Sequence, residues 1–167
     1  MAVRSDSRVW LEGSSNVRDW TCRATVVEAT IDIDEGSSDT HTVRGISVRV
    51  PVKGLKCGDR HMEAHMYTAL KASESQETSF ITARFNNFAA STNGEQVEGT
   101  GRLKVAGVER EVTMTVRGDK LADGTYRARG SVPILMTDFD IKPPRPWGGI
   151  LRTANKVVIQ FEVFVTP

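Results

Sequence analysis

Residues 97–116 read VEGTGRLKVAGVEREVTMTV, and this stretch decides the fold class of the chain. Apolar or small residues alternate with polar ones on both sides of the pair Ala106-Gly107. Such a period of two is typical of strands with one buried and one solvated face. If the pair forms a two-residue turn, Gly101 lies opposite Val112. The stretch therefore predicts a β-hairpin with glycine on its buried face.

Small residues interrupt the apolar faces at several predicted strands. Gly99 and Gly101 lie on the buried face of the hairpin, and Ala83, Ala128 and Gly130 share the apolar face of other alternating segments. Glycine inside a strand marks a bulge, a bend or room for something to approach. Two interpretations stay open: a filled barrel in which small residues face large ones, or a tunnel that holds one slender apolar ligand.

The remaining alternation predicts an all-β chain. Turn signals such as Thr92-Asn93-Gly94 and Asp123-Gly124 separate the alternating segments, as expected for a sandwich or a barrel. The alternating segments span residues 27–33, 46–52, 81–85, 126–136 and 157–165.

One segment has helical spacing instead. Between residues 59 and 71, Met62 and Met66 are followed by two further apolar residues at positions i+7 and i+8, which predicts one amphipathic helix. Asp59 is placed to cap its first turn.

Composition limits the classes of function. The chain has 167 residues with 22 Lys+Arg, 21 Asp+Glu and a net charge of +1, so one domain over residues 1–167 is expected and nucleic-acid binding is not. No apolar run approaches the ~20 residues that span a bilayer. Residues 1–6 lack a signal-peptide pattern and are expected to be disordered or foreign to the native chain.

Catalytic and metal-binding patterns are weak. His61 and His65 lie one helical turn apart and Cys57 precedes them, which leaves a metal-dependent enzyme as an alternative. The sequence H-M-E-A-H does not match the metalloprotease motif, and no G-x-S-x-G elbow is present. We therefore expect no catalytic residue, no metal ligand and no cofactor.

Several short motifs stand in a fixed order between residues 7 and 165. They are Trp10-x-Glu12-Gly13-x-Ser15-Asn16-Val17, Trp20-x-Cys22, Leu55-x-Cys57-Gly58, Gly101-x-Leu103-x-Val105-x-Gly107-Val108 and Met136-Thr137-Asp138-Phe139-x-Ile141-x-Pro143-Pro144. In order and spacing they resemble the YceI-like family of polyisoprenoid-binding proteins.

The resemblance implies a fold and a ligand class. The expected fold is an eight-stranded antiparallel lipocalin-like barrel with the helix at residues 59–71. The expected function is binding, carriage or sequestration of a long apolar lipid: an isoprenoid chain, an isoprenoid quinone or a fatty-acid-like molecule. The alternative is a filled barrel that acts as a structural or interaction module. A lipid is the expected partner, a monomer and a homodimer are both open, and no membrane-spanning segment is expected.

The resemblance also bears on the cysteines and on one turn. Two cysteines alone leave a disulfide, free thiols or a metal site open, whereas the family implies a bond between Cys22 and Cys57. A disulfide in turn implies an oxidising compartment, and hence a periplasmic or secreted protein. Family members often have glycine where this chain has Asp140, a residue that tolerates positive φ better than most.

The apolar face and the resemblance together predict the lining of the lipid cavity. Arg110 points inward beside the hairpin turn in this register, and two roles stay open for it: contact with a polar headgroup at the rim, or extension of the side chain into water. The predicted lining residues are Ile31, Val48, Val50, Met62, Met66, Ala83, Phe85, Gly99, Gly101, Leu103, Met114, Ala128, Ile134, Phe139, Trp147, Phe161 and Val163.

Overall fold

The computed structural model describes residues 2–36, 40–146 and 148–167. Within them the chain forms eleven strands, the α-helix α1 (Arg60–Ala69) and two short 3-10 helices, Val52–Gly54 and Met136–Phe139. The strands are β1 (Ala2–Val3), β2 (Arg8–Ser15), β3 (Asp19–Ala24), β4 (Glu28–Asp34), β5 (Thr40–Pro51), β6 (Leu55–Lys56), β7 (Phe80–Ser91), β8 (Asn93–Val105), β9 (Val108–Lys120), β10 (Tyr126–Leu135) and β11 (Thr153–Thr166).

The strands form one curled antiparallel sheet. Their order is β4-β5-β7-β8-β9-β10-β11-β2-β3-β6, and β1 pairs with β11 outside this path. Strand β1 also contacts β4 at the far edge, so the sheet rolls until its first edge approaches its middle. Rolling turns one face of the long strands inward, which accounts for the period-two alternation of the segments predicted as strands.

The hairpin of β8 and β9 confirms the predicted register. Gly101 pairs with Val112, and the turn between the strands is Ala106-Gly107. Both turn residues have positive φ, 51° at Ala106 and 82° at Gly107, as a type I′ turn requires. The turn type sets the register, and the register turns the apolar residues inward.

The all-β fold class is confirmed, and the number of strands differs from the eight expected. Nine strands have six or more residues, whereas β1 and β6 have two each. Two-residue strands are too short to show alternation, so the sequence pattern did not predict them. Strand β1 lies within residues 1–6, where we expected disorder, and pairs Ala2 with Thr166 and Val3 with Val165.

Helix α1 lies within the predicted segment and is shorter than it. The Asp59 carboxylate accepts hydrogen bonds from the backbone N–H groups of His61 at 2.8 Å and Met62 at 3.1 Å, which confirms its role as the N-cap. At the other end Lys71 takes a φ of 58°. Helical backbone cannot continue through that conformation, so the helix ends at Ala69.

A disulfide joins Cys22 of β3 to Cys57 just before α1, as the family resemblance implied. The bond closes a sequence separation of 35 residues, and Cys22 is fully buried. The start of the helix is therefore held covalently against the sheet.

Candidate functional site

The inner face of the curled sheet lines an apolar cavity of about 190 Å³, here the sheet cavity. One ordered water needs about 10–15 Å³ of such space, so the cavity is large for a packed interior. Its walls are mainly aliphatic and aromatic side chains from the inner face of the sheet. Nine of the predicted positions line it: Ile31, Val48, Ala83, Phe85, Leu103, Met114, Ala128, Phe161 and Val163.

A second cavity of about 130 Å³ lies between helix α1 and the sheet, here the helix cavity. The helix contributes Met62 and Met66 to its lining, and β10 contributes Ile134. These three were also predicted. Methionine repacks readily, which suits a wall that meets a flexible ligand.

The two cavities adjoin inside the molecule. Ile81 of β7 and Ile159 of β11 line both of them. A slender chain that occupied both cavities would pass these two side chains.

The structure places five predicted residues outside both cavities. Val50 and Phe139 are buried in the surrounding core, with 4 % and 1 % of their surface exposed. Arg110 pairs with Leu103, yet its side chain is exposed and donates a hydrogen bond to the Glu109 carbonyl oxygen at 3.0 Å. Trp147 lies outside the described residues.

Gly99 and Gly101 are the other two predicted residues that lie outside both cavities. Aromatic rings cover them both. A Cβ atom built at Gly101 would lie 2.4 Å from the Phe85 ring and 2.3 Å from the Arg84 carbonyl oxygen. At Gly99 the nearest neighbour is Phe88, at 3.2 Å. The gaps that the hairpin sequence showed are therefore filled from the neighbouring strand β7.

Polar groups gather where the helix cavity meets solvent. His61, His65 and Arg18 line the cavity and are exposed. The hydrogen bond from the Met62 N–H is the main cause that lowers the pKa of the nearby Asp59 carboxyl, and the charges of His61 and Arg18 act in the same direction. This end of the cavity thus combines hydrogen-bond donors on exposed side chains with an ionised carboxylate. That carboxylate already accepts hydrogen bonds from the first turn of the helix.

The histidines do not form the metal site considered above. Cys57 is oxidised in the disulfide and so has no thiolate to offer as a ligand. Within residues 2–36, 40–146 and 148–167, no group of three His, Cys, Asp or Glu side chains is arranged to hold a metal ion.

Some lining residues were not singled out from the sequence. Ile33, Val97 and Val132 line the sheet cavity and belong to the alternating segments, so their inward direction was visible. Which inward positions border open space depends on the curl of the sheet. Pro144 and Leu151 line the helix cavity from a loop that carries no periodic signal.

The helix α1 has ten residues, and none of the helices in the described part of the chain has the length and apolar character to cross a bilayer.

Three solved structures share this fold at low sequence identity. The crystal structure of Burkholderia cenocepacia BcnA has 19% identity and a TM-score of 0.78, over 99% of this chain and 100% of that one. A polyisoprenoid binding domain from Saccharophagus degradans has 12% identity and a TM-score of 0.66, over 96% and 94%. The Campylobacter jejuni YCEI protein has 16% identity and a TM-score of 0.63, over 87% and 84%. No curated protein sequence matches the chain.

The fold and the cavities define a class: a curled antiparallel β-protein with one covering helix and an apolar internal space. A family model, the YceI-like domain, matches residues 3–165. The chain therefore belongs to the YceI-like family, as its motifs indicated.

Proposed function

We propose that this protein binds a long apolar lipid and carries or sequesters it inside the two cavities. The proposed ligand is an isoprenoid chain, an isoprenoid quinone or a fatty-acid-like molecule. The observation that carries the proposal is the pair of adjoining apolar cavities, which meet at Ile81 and Ile159. Membership of the YceI-like family supports it, as does the fold shared with a polyisoprenoid binding domain.

Burial of the chain supplies the binding free energy. Each CH₂ group removed from water contributes roughly 0.8 kcal/mol, so one five-carbon unit contributes roughly 4 kcal/mol before ordering costs. Leu103 and Met114, which are 3% and 4% exposed, offer dry walls for this burial. Affinity of this kind depends on chain length and needs no hydrogen bond.

The two alternatives are less well supported. A filled barrel would leave no space of 190 Å³ between its strands. A metal-dependent enzyme built on His61 and His65 would need a third ligand, and Cys57 is not free to provide one, since it is bonded to Cys22. We therefore propose a binding protein without catalytic activity of its own.

The disulfide supports a location outside the cytosol. Bonds such as Cys22–Cys57 persist in oxidising compartments and are rare where thiols are kept reduced. We propose a periplasmic or secreted protein, in line with the family resemblance.

Filling the sheet cavity tests the proposal. Ala128 lines that cavity, and Ala89 on β7 is exposed. The variant Ala128→Leu is expected to weaken binding of a fluorescent isoprenoid probe at least tenfold, which corresponds to about 1.4 kcal/mol, while Ala89→Leu leaves the affinity unchanged. Equal probe affinity in both variants, with both folded by circular dichroism, would show that the ligand does not enter the sheet cavity.

A further inference from the structure

Two exposed apolar side chains lie on neighbouring loops at one end of the molecule. Val17 has 65% and Ile150 has 74% of its surface exposed, the two largest values among the large hydrophobic residues that the structure describes. An exposed apolar residue costs little when isolated. Two of them on adjoining loops form a small apolar patch, and exposed apolar patches mark sites of interaction.

Asn16 holds these two loops together. Its Nδ2 donates to the Ile150 carbonyl oxygen at 3.0 Å, and its Oδ1 accepts from the Arg152 N–H at 2.6 Å. The Asn16 N–H also donates to the Arg152 carbonyl oxygen at 3.0 Å. The Thr153 N–H then donates to the Pro144 carbonyl oxygen at 3.1 Å, which ties in the proline-rich loop. The apolar tips are thus presented by a fixed framework.

Basic side chains surround the tips. Residues 15–19, 141–146 and 150–152, here the mouth surface, contain the acid Asp19 and four basic residues, a net charge of +3. All four basic side chains are exposed. In the described part of the chain none of them has an ion-pair partner. These basic residues are Arg18, Lys142, Arg145 and Arg152.

The mouth surface is also the rim of the helix cavity. Ser15, Arg18, Pro144, Pro146 and Leu151 line that cavity. Whatever binds the mouth surface therefore lies at one opening of the internal apolar space.

We propose that the mouth surface docks onto a lipid bilayer that contains anionic lipids. Val17 and Ile150 insert among the headgroups, as apolar residues of interfacial proteins do, and the basic side chains bind lipid phosphates. Docking in this way places the helix cavity directly against the membrane. The net charge of the whole chain does not indicate this basic surface. The surface forms only on folding, because Arg18 is more than a hundred residues away in sequence from the other three basic residues.

A second copy of this chain is a poorer occupant. A symmetric dimer through this surface would bring two patches of charge +3 face to face, and like charges in contact oppose association. A bilayer with anionic lipids offers the opposite charge together with an apolar interior for the tips.

Vesicle co-sedimentation tests the proposal. The probes are vesicles of phosphatidylcholine alone and vesicles with about one third phosphatidylglycerol, and we expect binding to the anionic vesicles only. The variant pair Val17→Ser with Ile150→Ser is expected to weaken this binding roughly tenfold. The pair Lys142→Gln with Arg145→Gln should weaken it roughly 25-fold, about fivefold for each charge.

Matched controls use exposed residues outside the mouth surface. Val26, 48% exposed, is changed to Ser, and the exposed Lys53 and Arg84 are changed to Gln. We expect these controls to bind vesicles like the wild type. Absence of vesicle binding, equal binding to both vesicle types, or equal losses in the controls would each overturn the proposal. So would a dimer in solution that Val17→Ser and Ile150→Ser convert to a monomer.

The proposed docking depends on the mouth surface alone and does not depend on the proposed lipid ligand. Val17, Ile150, Lys142 and Arg145 line neither cavity. Uptake of the apolar probe phenylnaphthylamine should therefore be unchanged in all these variants. Vesicle binding without probe uptake would contradict the proposed function and leave the docking intact, whereas the reverse result would contradict only the docking.

Discussion

Phe85 lies across the strand pair from Gly101, and its ring occupies the space that a side chain at this glycine would need. The same arrangement recurs where the Phe161 ring lies 2.4 Å from a Cβ built at Gly130, its partner on β10. The interruptions in the apolar face therefore divide into two kinds. At the glycines an aromatic ring packs over the backbone, whereas Ala83 and Ala128 border open space.

Substitution of Gly101 tests this distinction. Since a Cβ at this position would lie 2.3 Å from the Arg84 carbonyl oxygen, Gly101→Ala forces a backbone or ring shift. We expect a loss of about 1–3 kcal/mol in the free energy of unfolding in urea. The control is Gly45→Ala, whose Cβ would meet only the Asn86 Oδ1 at 3.4 Å. Equal stabilities of the two variants would show that the ring does not constrain Gly101.

Asp140 provides a second test at the residue scale. Its φ is 54°, in the left-handed region, at the end of the 3-10 helix Met136–Phe139. Asp140→Val is expected to lower the free energy of unfolding by about 1–3 kcal/mol, because β-branched residues are strained there. Asp140→Gly should be as stable as the wild type or more so in the same urea titration, because glycine adopts positive φ without strain. A stable Val variant would mean that the turn adopts another conformation.

At the scale of elements, the disulfide and helix α1 act as one unit. Cys22 is fixed in β3, and Cys57 leads directly into the capped first turn of the helix. The sulfur atoms of Cys57 and Met66 lie 3.9 Å apart, so the bond also backs a side chain of the helix cavity. The helix therefore covers its cavity as a tethered element.

Removal of the tether has a calculable effect. A loop of this length contributes about 3–4 kcal/mol through the entropy of the unfolded chain. The double variant Cys22→Ser with Cys57→Ser should lose about that much stability in urea, and a thiol reductant should then have no further effect. Wild-type protein that is equally stable with and without reductant would contradict this account of the bond.

Sequence patterns predicted elements well where they were long. The β8–β9 register followed from the position of Ala106-Gly107, and helix α1 followed from its apolar spacing and from Asp59. Strands β1 and β6 were missed because two residues carry no period, and the longer strands β2 and β3 were also absent from the predicted alternating segments. The cover over Gly101 was missed because only its β9 partner, Val112, was derived from a turn, whereas the ring that covers it belongs to Phe85 on its other neighbour, β7.

At the scale of the whole molecule, the curl of the sheet brings the apolar faces of its strands around one internal space. Twelve of the predicted lining residues border one of the two cavities, because alternation in the strands and the apolar spacing of α1 both separate inward from outward positions. Val50 and Phe139 show the limit of this inference. Both face inward but are covered by other core residues, and only the curl of the sheet decides which inward residues meet the cavity.

An apolar chain that occupies this space should be purified together with the protein. The most direct measurement is native mass spectrometry of protein purified without detergent, followed by solvent extraction and mass analysis of the extract. We expect a mass increment of one lipid molecule that disappears on extraction, and a single long-chain lipid species in the organic phase. Protein that shows only its own mass, and that takes up no isoprenoid, quinone or fatty acid added before a second measurement, would contradict this expectation.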